Sequence, residues 1–175
     1  RAERRSSAFL PTPITVDAVT VNVPAYINGS PVVALKCKFG QNNVNKEYNA
    51  INLPDGMVIL GERAFAYCRV KDALKIPAGV REIGEVCFGV FYGNVYFDER
   101  NTIETIGEHA FYECCAENVL TLPETVRTIK KQGFYQSRFS GIVLPDGIKS
   151  IKDYALYTQS SNCIVFIPDT VRDLG

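Results

Sequence analysis

The chain has 175 residues, 46% apolar and 22% charged. That is enough apolar material for one domain of ordinary size or a short array of repeats, and it is not the composition of a disordered charged tail. Lys+Arg and Asp+Glu balance at 19 each, so the basic surplus that nucleic acid or an anionic membrane surface selects is absent, and no apolar run approaches the ~18 residues of a membrane span.

Residues 1–18 carry no apolar periodicity and are read as an N-terminal extension or cap. The chain opens on Arg1 and its only Met is Met57, so an upstream segment is expected to have been removed, by cleavage of a secretion signal or by trimming. Val19, Val21 and Val23 before Pro24 begin a degenerate copy of a repeat, spanning 19–49. Its turn is enlarged by Tyr26-Ile27-Asn28-Gly29-Ser30-Pro31, and the pattern resumes at Leu35. Asn28-Gly29-Ser30 is formally a glycosylation sequon and is read here as a tight turn. Residues 40–49 are polar and predict a loop.

From there the chain repeats itself. An apolar residue followed by Pro recurs at Leu53-Pro54, Ile76-Pro77, Leu122-Pro123, Leu144-Pro145 and Ile167-Pro168, with Arg100 at the place of a missing Pro. Three residues after the Pro stands Met57, Val80, Ile103, Val126, Ile148 or Val171; six after it, Leu60, Ile83, Ile106, Ile129, Ile151 or Leu174. Eleven after it comes Phe65, Phe88, Phe111, Phe134 or Leu156, usually preceded by a small residue. A unit of about 23 residues cannot bury its own apolar face but stacked copies can, so residues 19–175 are read as a single solenoid domain with turns at 54, 77, 100, 123, 145 and 168. Before each Pro the apolar residues alternate, as in Leu120 and Leu122, which predicts a strand with one buried face. Pro ends it, having no N–H for the ladder, and Asp55-Gly56 or Asp146-Gly147 turns the chain. The segment from Ile83 to Phe88 and its equivalents predicts a short helical or 3₁₀ turn on the outer side. In the third unit Val95, Phe97 and Asp98-Glu99-Arg100-Asn101 replace the apolar-Pro step, which predicts a strand that ends early and a bulge or wider loop.

These columns resemble the BspA-type leucine-rich repeat, a family of bacterial and protozoan surface proteins. The resemblance covers roughly 19–175 and rests on Leu-Pro-Asp-Gly-x-x-x-Leu-Gly-Glu-x-Ala-Phe at 53–65 and Ile-Gly-Glu-His-Ala-Phe-Tyr-Glu-Cys at 106–114. It implies an α/β repeat solenoid, a right-handed coil with a parallel sheet on the concave face. It also implies a secreted or cell-surface protein used in adhesion or protein binding, with no catalytic motif to carry over.

The residue types that could do chemistry are few. His109 is the single imidazole, and its column also holds Arg63, Val86, Gln132 and Tyr154, which reads as a solvated outer position rather than a catalytic or metal site. A Cys–His pair with Cys114 or Cys115 would make the chain a cysteine-dependent enzyme, but no orienting third group or oxyanion site goes with it. The six cysteines, Cys37, Cys68, Cys87, Cys114, Cys115 and Cys163, include no C-x-x-C, so no zinc site and no cofactor are expected. Cys68 and Cys114 share a column two rungs apart, about 9–10 Å, beyond the ~7 Å reach of a disulfide; most are read as buried thiols. The tyrosine column of Tyr112, Tyr135 and Tyr157 reads as packing over the outer turns.

The outward face of the sheet is the stronger candidate. Asn52, Lys75, Tyr96, Thr121, Val143 and Phe166 alternate with the core residues, and Val119 and Ile164 lie in the next column; the surface becomes apolar toward the C-terminal end. Large exposed apolar patches mark binding sites, so the expectation is a non-enzymatic adhesion or interaction module that binds a host or neighbouring-cell protein, with no nucleic acid and no membrane insertion. Self-association through the C-terminal edge, and a spacer role carrying another domain, are the competing uses of the same architecture.

Overall fold

The computed structural model describes residues 19–36, 38–40 and 47–175; the N-terminal extension and Cys37 lie outside these residues. The first rung runs from β1 (Val19–Asn22) through a hairpin of β2 (Tyr26–Ile27) and β3 (Ser30–Pro31) to β4 (Ala34–Leu35). The second has β5 (Glu47–Asn52) and β6 (Ile59–Leu60), and β7 (Arg69–Val70) leads out of it. The third follows with β8 (Leu74–Ile76) and β9 (Glu82–Ile83), and the fourth with β10 (Val95–Phe97) and β11 (Thr105–Ile106). The fifth has β12 (Val119–Thr121) and β13 (Thr128–Ile129), and the sixth β14 (Gly141–Val143) and β15 (Ser150–Ile151). The last has β16 (Ile164–Phe166) and β17 (Asp173–Leu174).

All strand pairings are parallel except the β2–β3 hairpin. The strands that precede the prolines form one face: β1 with β5, β8 with β10, and β12-β14-β16. The short strands after the turn form a second, β4-β6-β9 and β11-β13-β15-β17. The chain is therefore a parallel-strand solenoid of about six turns. The Pro turns are closed by the same bond in each rung, from Met57 N to Pro54 O at 3.0 Å and from Val126 N to Pro123 O at 3.0 Å. Asn28 and Gly29 form the two-residue tip of the hairpin with φ of 50° and 79°, the left-handed pair that matches the twist of its strands.

The outer segment is not helical, contrary to the expectation of helical or 3₁₀ turns. In a helix every amide would bond back along its own chain. Here Ala64, Ala66 and Cys68 donate to Gly61, Arg63 and Phe65 within the turn at 3.2–3.3 Å, while Arg63, Phe65 and Tyr67 between them donate to Glu85, Cys87 and Gly89 of the next rung at 2.8–3.0 Å. Sending alternate amides in opposite directions requires alternate peptide planes to flip, and the chain does this through left-handed residues. Arg63 and Tyr67 have φ of 53° and 60°, and the same positions follow in Val86 and Val90, His109 and Glu113, and Gln132 and Gln136. The His109 column is thus set by backbone as well as by exposure. That β-branched Val86 and Val90 adopt a conformation costly for such side chains shows how strongly the inter-rung bonds dictate it.

Between the two left-handed residues the Phe points inward. Phe39, Phe65, Phe88, Phe111 and Phe134 form one offset stack with centroid separations of 5.6, 5.2, 4.9 and 5.0 Å. Phe91 and Phe139 meet it edge-on. Phe39 extends the column one rung beyond the sequence pattern. Of the loop predicted at 40–49, residues 47–49 belong instead to β5, and 41–46 lie outside the described residues. There Tyr48 is buried, packs edge-on against Phe39 and donates its hydroxyl to Phe39 O at 3.1 Å.

The fourth rung carries the wider loop. Phe97 pairs with Ile76, which lays Asp98 beside Pro77 and puts Arg100 two residues further into the turn. Buried Asn101 holds the enlarged turn: Nδ2 donates to Pro77 O at 2.7 Å and to Val80 O at 3.2 Å, and Oδ1 accepts from Ile103 N at 2.9 Å.

Two outcomes test this packing. Phe111→Ala removes the middle ring of the stack and should cost about 3–5 kcal/mol, the usual cost of such a cavity, measured by urea unfolding. Ser137 is fully buried, in the column of Cys68 and Cys114, and its Oγ has no hydrogen-bond partner among the described residues. Ser137→Ala should therefore raise stability by about 1 kcal/mol, because a buried unpaired hydroxyl is a net cost.

Candidate functional site

On the strand face, alternation puts Leu120, Ile142 and, partly, Val165 inward and leaves their neighbours outward. Backbone pairing sets Thr121, Val143 and Phe166 in one row across adjacent rungs and Val119, Gly141 and Ile164 in the next. Exposure is greatest on the last strand: Tyr96 is 42% exposed, Val119 50% and Val143 39%, against 60% for Ile164 and 71% for Phe166. Between the two exposed aliphatic residues Gly141 is buried, and a side-chain carbon placed there would lie 3.1 Å from Ile164 O and 3.6 Å from both methyls of Val119, so its neighbours already close over it.

The remaining predicted residues occupy the N-terminal half of the face. Lys75 pairs in register with Tyr96, and exposed Asn52 donates from Nδ2 to Asn22 Oδ1 at 2.7 Å across the first two rungs. The face is not one continuous ladder. β5 and β8 are in separate sheets, as are β10 and β12. The second break is bridged by Asn118, a side chain the sequence reading passed over. Its Oδ1 accepts from Val95 N at 3.3 Å and its Nδ2 donates to Val95 O at 2.9 Å, so a side-chain amide takes the place of a backbone peptide in the ladder. Asn94 repeats the device with Glu117 N at 3.0 Å.

Lys75 is held by Asp98. The Asp98 carboxylate is nearly buried and receives Lys75 Nζ at 2.9 Å, Arg100 Nε at 3.1 Å and the Arg100 amide at 2.9 Å. The Arg100 side chain first, then Lys75, holds its carboxyl far below the ordinary carboxylate range.

The groups considered for catalysis stand apart. His109 lines an open groove of about 800 Å³ on the outer turns with Tyr67, Tyr112 and Tyr135. Its Nε2 lies 2.5 Å from Gln132 Oε1, and its Nδ1 lies 3.7 Å from Glu108 with no hydrogen-bond partner among the described residues. Cys115 lines a different groove, with Arg69, Tyr92 and Arg138, and Cys114 is fully buried. Burial pushes the thiols of Cys87, Cys114 and Cys115 up, the opposite of what activates a nucleophile. The tyrosine column packs as expected, Tyr112 on Tyr135 at 5.7 Å and Tyr135 on Tyr157 at 5.2 Å. No group of three or more His, Cys, Asp or Glu able to hold a metal occurs among the described residues.

A carboxylate whose folded-state pKa lies below its unfolded value stabilises the fold fully above the unfolded pKa, and that contribution fades as pH falls toward the folded one. Asp98→Asn should therefore lower Tm at pH 7. The gap to the wild type should hold down to about pH 4, near the ordinary Asp value, and narrow below it; thermal melts from pH 7 to pH 2 measure this.

No curated protein and no solved structure matches the chain. The family model for the BspA type leucine-rich repeat region matches residues 42–93 and 91–175, with six copies. Proteins of this family are generally surface- and adhesion-related, typically non-enzymatic, and usually found at the surface or secreted. No helix among the described residues is long and apolar enough to cross a membrane. With the six copies covering most of the chain and the parallel rungs they require in place, this protein belongs to the BspA-type leucine-rich repeat family.

Proposed function

We propose that the strand face is the binding surface of a secreted or cell-surface adhesion module, and that it captures a protein on a host or neighbouring cell. The observation that carries this reading is the exposed apolar stripe of Tyr96, Val119, Val143, Ile164 and Phe166 on adjoining strands. Scattered single apolar residues are normal on a protein surface, whereas a contiguous patch has an unmet partner. The stripe also fits what the solenoid leaves free. The ladders and the phenylalanine stack consume the backbone and the inward side chains, so the outward positions of the strands can vary without cost to the fold. Binding would bury this stripe, with Tyr96, Val143 and Phe166 as the principal contacts and Lys75, Asn52 and Thr121 at the flank, because a few buried side chains dominate an interface.

The test is substitution of residues the core does not need. Tyr96→Ala and Phe166→Ala should each reduce attachment to cells or extracellular matrix at least tenfold while leaving Tm within about 1 °C, since surface changes away from core features move stability by only ~0.5 kcal/mol. Undiminished attachment by the double variant would refute recognition by this face and leave the repeats a spacer. Sedimentation of the same variants separates this from self-association through β16: a wild-type dimer that the Phe166 variant loses would assign the stripe to a second copy.

A further inference from the structure

We infer that the tip of the β2–β3 hairpin modifies itself: the Gly29 amide nitrogen attacks the Asn28 side chain, converts it to aspartate and isoaspartate, and so remodels the hairpin. This goes beyond the reading of the strand face and does not rest on it. Asn28 is the one asparagine in the chain followed by Gly, the residue with no Cβ to shield its nitrogen. Both tip residues are exposed, and a side-chain carbon built on Gly29 would meet nothing within 4 Å, so the Asn28 side chain and water have room to approach. No described residue hydrogen-bonds the Asn28 side chain or the Gly29 amide. The side-chain amides of Asn22, Asn52, Asn94, Asn101 and Asn118, by contrast, are all held by hydrogen bonds, and each is followed by a residue with a Cβ. Asp55-Gly56 and Asp146-Gly147 keep the Gly, but an ionised carboxylate is a poor electrophile, and their turns are closed by Met57 N to Pro54 O at 3.0 Å and Ile148 N to Pro145 O at 3.1 Å.

The turn must open for the attack, and this hairpin opens easily. Its strands have two residues each and pair with no other strand, and a lone two-stranded ribbon is marginal in water. Once the Gly29 nitrogen gives its proton to solvent base, it bonds to Asn28 Cγ; the Cγ–Nδ2 bond breaks, ammonia leaves with a proton from water, and a succinimide ring remains. Water then opens the ring. Attack at Cγ yields aspartate; attack at the Asn28 main-chain carbonyl yields isoaspartate, with the chain running on through Cβ and Cγ. The sum is one water consumed and one ammonia released. Isoaspartate lengthens the main chain by one carbon between the tip residues, and the paired left-handed conformation that fits the strand twist no longer closes. The pairing of Tyr26 with Pro31 and of Ile27 with Ser30 is lost. The exposed Tyr26 and Ile27 side chains shift, and a carboxylate appears beside them. The rung ladders do not include this hairpin, so the solenoid itself is unaffected.

The test is incubation of the folded protein in neutral buffer, followed by peptide mapping with mass spectrometry and labelling by an isoaspartyl methyltransferase. Conversion at Asn28 should outrun conversion at every other asparagine roughly tenfold, because a locally opening hairpin is set against side chains that only deeper unfolding frees. The rate should rise with pH, since the nucleophile is the deprotonated nitrogen. Asn28→Gln, which would have to close a larger ring, should lose the label and keep the wild-type circular dichroism and Tm. Asn28 that stays intact in the folded chain but converts in urea would show that the hairpin protects it, and would overturn the proposal; so would conversion led by another asparagine. In the converted protein, cross-strand NMR contacts between Tyr26 and Pro31 should vanish while Tm stays within about 1 °C, as for a surface change away from the core. Contacts that persist would overturn the remodelling.

Discussion

The fold depends on a division of labour among the amides of the outer turns. Half bond within the turn and half bond to the next rung, so each rung is closed on itself and tied to its neighbour by the same eight residues. This ladder continues from rung to rung where the others do not: the strand face is interrupted between β5 and β8 and between β10 and β12, and the second face between β9 and β11. The interruptions are staggered, so no junction loses more than one of the two strand ladders. The cost is a pair of left-handed residues per rung, borne even by valines. What offsets it is a full complement of backbone hydrogen bonds in a coil with almost no interior of its own, together with the phenylalanine stack that the alternation aims inward.

Because backbone and inward side chains carry the architecture, irregularities are repaired locally. The fourth rung loses its Pro and gains residues in its turn, and buried Asn101 replaces the missing contacts with side-chain hydrogen bonds to the preceding rung. Asn118 does the same where two strands part. Each amide side chain offers a donor and an acceptor in the geometry of a peptide group. The strain of irregularity is absorbed without disturbing the register, and so the exposed rows of the strand face remain aligned across the rungs that form the apolar stripe.

The strand face, the Pro turns and the inward columns were legible in the sequence because each reports a local requirement. Alternation marks a half-buried strand, Pro marks the end of a ladder, and Phe at a fixed phase marks the core. The outer turn was misread as helical because its spacing of Gly, small residue and Phe is compatible with a tight helical turn; what separates the two is where the amides of Arg63, Phe65 and Tyr67 find acceptors, and those acceptors lie about 22 residues away in the next copy. Residues 47–49 fall inside the polar stretch 40–49 that predicts a loop for a similar reason: their strand is defined by pairing with β1 and β7, not by a hydrophobic pattern of its own.

The sequence by itself determined that this protein is a stack of similar coils and which side chains face inward, since periodicity is a property of one chain read along its length. The tertiary structure alone decided which residues share a surface. Thr121, Val143 and Phe166 become one row, and Val119, Gly141 and Ile164 the next, only once strands 22 or 23 residues apart are laid in register. It also decided the conformation of the outer turns, because a hydrogen bond to the next rung does not exist until that rung is in place.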